Sequence, residues 1–135
     1  RPLSRQQWLT EGFAEWVGYV VTQKLGLDDV SRQRTRIISA LRSAGGSGAL
    51  PRLDEMDAFS AWIGARRKYG YTATFSLSFL IVEFLMERHS YNALLNYFRQ
   101  FRVSSSYPAN FQIAFGESVK EFDVALWQHL GRLLD

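Results

Sequence analysis

Apolar residues recur at three- and four-residue spacing through most of the chain, and glycine, proline or small polar residues separate these stretches. Leu9, Phe13, Trp16, Val17, Val20 and Val21 predict a first helix that stops at Gly26. Ser4-Arg5-Gln6-Gln7 stands before it in the S-x-x-Q form of a capping box. Asp28 or Asp29 caps a second helix over VSRQRTRIISALRS, whose apolar members are Val30, Ile37, Ile38 and Leu41. Gly45-Gly46-Ser47-Gly48 breaks the pattern and is short enough to be a loop inside one domain. An irregular turn at Pro51 and a helix over 57–68 follow.

The stretch YTATFSLSFLIVEFLMERHS carries two patterns at once. Phe75, Leu77, Phe79 and Ile81 alternate with Thr74, Ser76 and Ser78 as in a strand. The apolar run then continues through Leu85 and Met86, too long for a strand, and predicts a buried helix. Ser90 caps a helix over YNALLNYFRQF, and VSSSYPA reads as a loop. Ser118-Val119-Lys120-Glu121 is a second capping box, opening a last helix with Phe122, Leu126, Leu130 and Leu133 on one side. The expectation is an all-α fold, one compact domain of five or six helices over 1–135.

Composition narrows this picture only a little. With 47% hydrophobic residues the chain has material for a core, and with no cysteine it has neither disulfides nor thiolate metal sites. No apolar stretch is long and charge-free enough to span a bilayer. Arg32, Arg34, Arg36 and Arg42, then Arg66, Arg67 and Lys68 beside Tyr69 and Tyr71, are the candidates for a nucleic-acid surface. Asp54, Glu55 and Asp57 offset part of that field, and a net charge of +3 argues against it.

The residues that invite chemistry are Glu11 and Glu15 in WLTEGFAEW. Four apart on a helix, they project along one stripe and repel each other by a few tenths of a kcal/mol (about 0.2–0.5) when exposed. Gly12, Ala14 and Gly18 surround them with little bulk, so a backbone, a metal or a substrate can approach closely. A solvated face with two unrelated carboxylates and a metal-facing pair both satisfy this pattern.

WLTEGFAEW resembles the glutamate-bearing helix of the gluzincin metallopeptidases, the thermolysin-like and aminopeptidase-like zinc enzymes, and looks closest to the peptidase MA-like group. The resemblance implies that Glu11 is a zinc ligand and that Glu15 orients a zinc-bound histidine through a hydrogen bond. Tyr71-Thr72-Ala73-Thr74 resembles the segment in which a tyrosine hydroxyl donates to the oxyanion, which makes Tyr71 the catalytic candidate and Tyr69 its rival. The ending AFGESVKEFDVALWQHL is similar to the family's terminal segment. What this implies is the C-terminal helical half of a zinc-dependent peptidase, acting on peptide or protein substrates and located in the cell envelope or outside it.

One part of the family's pattern is missing. No H-E-x-x-H occurs among these 135 residues, whose two histidines are His89 and His129. His89 reads as the residue that complements its helix dipole. The expectation is that the histidine helix lies upstream of Arg1 in a longer parent, so that zinc belongs to the complete protein and this chain alone binds none tightly. Otherwise the chain is a catalytically dead helical module that binds a partner. An uncovered contact face, with Trp8, Phe13 or Trp16 exposed, would also drive self-association.

Overall fold

The computed structural model describes residues 5–135, and within them every regular element is helical. Seven α-helices follow in order: α1 Gln7–Lys24, α2 Val30–Ser43, α3 Phe59–Tyr69, α4 Tyr71–Arg88, α5 Tyr91–Gln100, α6 Tyr107–Phe115 and α7 Val119–Leu134. Two single 3-10 turns, Ser47–Ala49 and Leu53–Met56, join α2 to α3.

The ends of these helices follow local chemistry. Asp29 accepts from the Arg32 N–H at the start of α2, Ser90 from Ala93 at the start of α5, and Ser118 and Glu121 form the expected reciprocal box at α7. Gly26, at φ 73°, closes α1 in a Schellman motif, with Gly26 N–H on the Gln23 carbonyl and Leu27 N–H on that of Thr22. The start of α1 differs from the expectation. Ser4 lies outside the described residues, and the cap position belongs to Gln6 with no side-chain cap. Asp57 does the anchoring instead: it takes the Gln6 N–H at 2.8 Å and Arg5 Nε at 2.6 Å, and its carbonyl takes the Gln7 N–H at 2.9 Å.

Helix α6 is the other difference. VSSSYPA reads as a loop, but only its first half is one. Ser106 accepts from the Ala109 N–H, and Pro108 lies in the first turn of α6, where a missing N–H is no loss.

Helix α4 is the centre of the core. Leu77, Phe79, Leu80, Ile81, Val82 and Leu85 are all fully buried, so its apolar run is explained by neighbours on every side. Thr74 and Ser78, also fully buried, satisfy their hydroxyls on the carbonyls of Gly70 and Thr74, at 2.7 and 2.9 Å. Trp8, Phe84 and Phe111 converge on Phe122 of α7 at ring distances of 5.9–6.0 Å. Of the predicted α7 stripe, Phe122, Leu126 and Leu130 are buried with Leu134, while Leu133 is half-buried. Asp135 holds the Ser47 N–H at 2.8 Å and its hydroxyl at 2.6 Å, so the glycine-rich loop is tied to the end of α7.

Candidate functional site

WLTEGFAEW forms the first half of α1, and its inner and outer faces meet different surroundings. Gly12 is buried where α1 crosses α4. A Cβ there would lie 2.2 Å from the Ser78 carbonyl oxygen and 2.6 Å from a Val82 methyl. The close approach that the small residues permit is therefore the approach of α4's own backbone. Trp8 stacks on Phe122, while Phe13 packs at a tilt against Phe98 and Trp16 against Tyr91. Trp8 is fully buried and the other two half-buried, so the aromatics expected to be exposed are packed.

Glu11 and Glu15 lie at the border between these faces, each partly exposed. Glu15 engages the Tyr19 hydroxyl one turn on. The Tyr19 ring packs 4.8 Å from Phe79, and burial, followed by the Glu15 charge and hydrogen bond, pushes its phenol up to about 12. Glu11 makes no hydrogen bond or ion pair among the described residues.

Tyr71 opens α4 and is 58% exposed. Its ring stacks on Phe75 at 4.3 Å, and the Arg66 guanidinium lies 4.8 Å over its face. Tyr69 donates its hydroxyl to Glu55 at 3.1 Å, which commits it to holding α3 against the 3-10 turn before it. Both tyrosines line a cleft of about 390 Å³ with Ala40, Leu41, Ala44 and Ala73. A second cleft, of about 290 Å³, contains Tyr19, Gln33 and Arg36 and shares Ala40, Thr72 and Ser76 with the first. The two therefore form one groove between α2 and the start of α4, with Tyr71 at one end and the Glu15-bound Tyr19 at the other. Glu11 lines neither cleft.

The histidines are used elsewhere. His89 Nε2 lies 3.1 Å from a carboxylate oxygen of Glu117, which Arg88 also holds at 2.7 Å, so the pair fastens the end of α4 to the turn before α7. His129 stacks on Phe84 at 4.1 Å, and burial lowers its pKa. Among the described residues no three of His, Asp and Glu converge as metal ligands. The side chains present here do not by themselves fit a zinc ion.

The arginines of α2 are occupied within the fold. Arg32 and Arg36 both pair with Asp28, Arg34 Nε meets Glu83 at 2.6 Å, and Arg42 donates twice to the Leu133 carbonyl, at 2.7 and 3.0 Å. No helix of the described residues is long and apolar enough to cross a membrane. Family models, curated proteins and solved structures give no match to this chain.

Sequence reasoning missed Tyr19 and the groove it helps to line, and it weighed Arg36 only as part of a nucleic-acid surface. Tyr19 stands four residues after Glu15, a spacing that by itself signals a helical side-chain pair. The position of α2 beside that pair had no local signal.

Proposed function

We propose that this chain is the helical portion of a zinc-dependent peptidase in which Glu11 is one metal ligand. The remaining ligands and the general base belong to an H-E-x-x-H segment outside these 135 residues. One observation carries the reading: Glu11 is partly exposed and makes no hydrogen bond or ion pair among the described residues, at the edge of an exposed helix face. Tyr71, with its ring fixed by Phe75 and Arg66, is the candidate donor to an oxyanion, and the α2–α4 groove is the candidate wall of the substrate cleft. In the complete protein Glu15 is the orienting carboxylate, now held by Tyr19.

The test is to express the chain with the coding region that precedes it and measure bound zinc together with peptide hydrolysis. One zinc per chain, lost in Glu11→Gln, and a hydrolysis rate that falls at least a hundredfold in Tyr71→Phe support the proposal. Zinc binding that survives Glu11→Gln, or a preceding region without H-E-x-x-H, overturns it.

A helical interaction module is the second reading, favoured by the uncovered outer face of α1. Partners of that module are proteins rather than nucleic acid, because the α2 arginines already have partners inside the fold. Salt-dependent retention on DNA would reverse that preference.

A further inference from the structure

The start of α1, the 3-10 turn Leu53–Met56 and the first turns of α6 and α7 enclose a cleft of about 350 Å³ that contains none of Glu11, Glu15 and Tyr71. Its walls are of two kinds. Leu53, Val119 and the buried Trp8 are apolar, whereas Asp54, Asp57 and Asp123 bring three carboxylates to one space. Of the three, Asp57 is satisfied by Arg5 and the Gln6 N–H. The Asp54 carboxylate makes no hydrogen bond or ion pair among the described residues. Asp123 Oδ1 is shut from solvent, and the Trp127 indole N–H approaches it without closing a hydrogen bond. Burial raises the Asp123 pKa, and the Arg52 charge offsets only part of that. The Arg52 guanidinium is itself laid on the Trp127 ring at 4.1 Å, and Lys120 is exposed with no ion pair.

A second polar group beside this cleft lacks a partner. Gln6 is 2% exposed and stands at φ 56°, in the left-handed region that residues other than glycine rarely adopt. Asp57 holds its N–H, and its Oε1 takes the Tyr97 hydroxyl, which lies within reach of the charges of Asp57 and Tyr107. Both of those residues line the cleft, so the Gln6 amide stands against the wall they build. Its Nε2 donates to nothing among the described residues. A buried donor is costly to leave so, and a ligand that brings an acceptor removes that cost. We infer that the cleft binds a small organic ammonium ion that also carries a carbonyl or carboxylate, as amino acids do. The ammonium sits between Asp54 and Asp123, the acceptor meets Gln6 Nε2, and the carbon body lies on Leu53 and Val119. The three carboxylates do not converge as metal ligands, and the apolar wall suits a cation with a carbon body.

The test titrates the unaltered chain, followed by amide NMR, with probes of one shape. Leucine and leucinamide carry both groups, isoamylamine lacks the acceptor and isocaproate lacks the ammonium. Leucine and leucinamide should bind with Kd about 1–10 mM, as ligands of this size do, and should shift the Gln6 side-chain amide together with the Lys120 and Asp123 backbone. Whichever binds tighter names the source, a free amino acid or an amino-acid amide, and either supports the inference. Isoamylamine should bind several-fold more weakly, and isocaproate should leave the cleft untouched. Asp123→Asn should weaken leucinamide at least tenfold, the loss of a bond to a charged group. Asp54→Asn, at an exposed position with no bond to lose in the fold, should weaken it several-fold. The inference is overturned if neither leucine nor leucinamide gives a saturable shift, or if isocaproate binds as well as they do. Binding indifferent to Asp54→Asn and Asp123→Asn overturns it too, as does a Gln6 amide that stays still while the cleft fills. No readout involves zinc, Glu11 or Tyr71, so failure here leaves the metal proposal to its own test.

Discussion

The two faces of α1 are built from similar residues under opposite constraints. Each carries a glycine amid apolar side chains, but Gly12 is pressed against the Ser78 carbonyl while Gly18 has nothing within 4 Å of where its Cβ would be. The inner face is specified by shape: remove its space and α4 must move. The outer face is specified by the absence of charge along it, which the fold of this chain does not use. A residue type therefore says little here until the neighbouring helix is known.

The largest effect should come from closing the inner gap. Gly12→Ala places a methyl group where backbone, not a flexible side chain, already is, and should destabilise the fold by about 3 kcal/mol, the upper part of the overpacking range. Chemical denaturation measures this directly. A loss of less than about 1 kcal/mol would mean that α1 slides on α4 without penalty, and the contrast between the two faces would fail.

Gly18→Ala is the matched experiment on the outer face. With no neighbour to meet, the substitution should gain about 0.5–1 kcal/mol, the helix-interior preference of alanine over glycine. The sign of this change separates an open face from one that another element covers.

Much of this arrangement was legible in the sequence, because helix ends are local. Asp29, Ser90 and Ser118 cap where their side chains predict, and Gly26 ends α1 through its positive φ. The reading of 71–88 as a buried helix succeeded because its apolar run exceeds strand length. The strand-like alternation within it reflects Thr74 and Ser78 turning their hydroxyls back onto their own helix. What was not legible depends on other elements. VSSSYPA was read as a loop where Ser106 makes a helix start. Gly12 signalled close approach without saying that α4 makes it. His89 was read from its place at a helix end, but its carboxylate, Glu117, comes from a turn 28 residues away. Of the residues singled out by resemblance, Tyr71 lines the cleft between α2 and α4, and Glu11 lines neither that cleft nor the one beside it.

Glu11→Gln tests the border between the faces. Glu11 has no partner to lose among the described residues and a like charge one turn away in Glu15, so the substitution should raise stability by about 0.2–0.5 kcal/mol at low salt. The gain should fade as salt screens the pair. A loss instead would reveal a cation already at Glu11 in the isolated chain.

The smallest effect, and the most local, concerns Tyr19 on the inner side of that border. Folding holds its phenol neutral up to about 12, with burial the first cause and Glu15 the next. A pKa raised in the folded state gives stability that is intact below the ordinary tyrosine range and lost as pH rises through the folded value. Alkaline unfolding should therefore steepen between roughly pH 10 and the folded value. Glu15→Gln removes the charge but not the burial, so the Tyr19 titration should move down while staying above that of an exposed tyrosine. Ultraviolet difference titration of each chain against its Tyr19→Phe counterpart isolates the one phenol. Should Tyr19 ionise with the exposed tyrosines in the unaltered chain, water reaches the α1–α4 seam, and the shape constraint that sets the inner face apart from the outer one stops one turn short of Glu15.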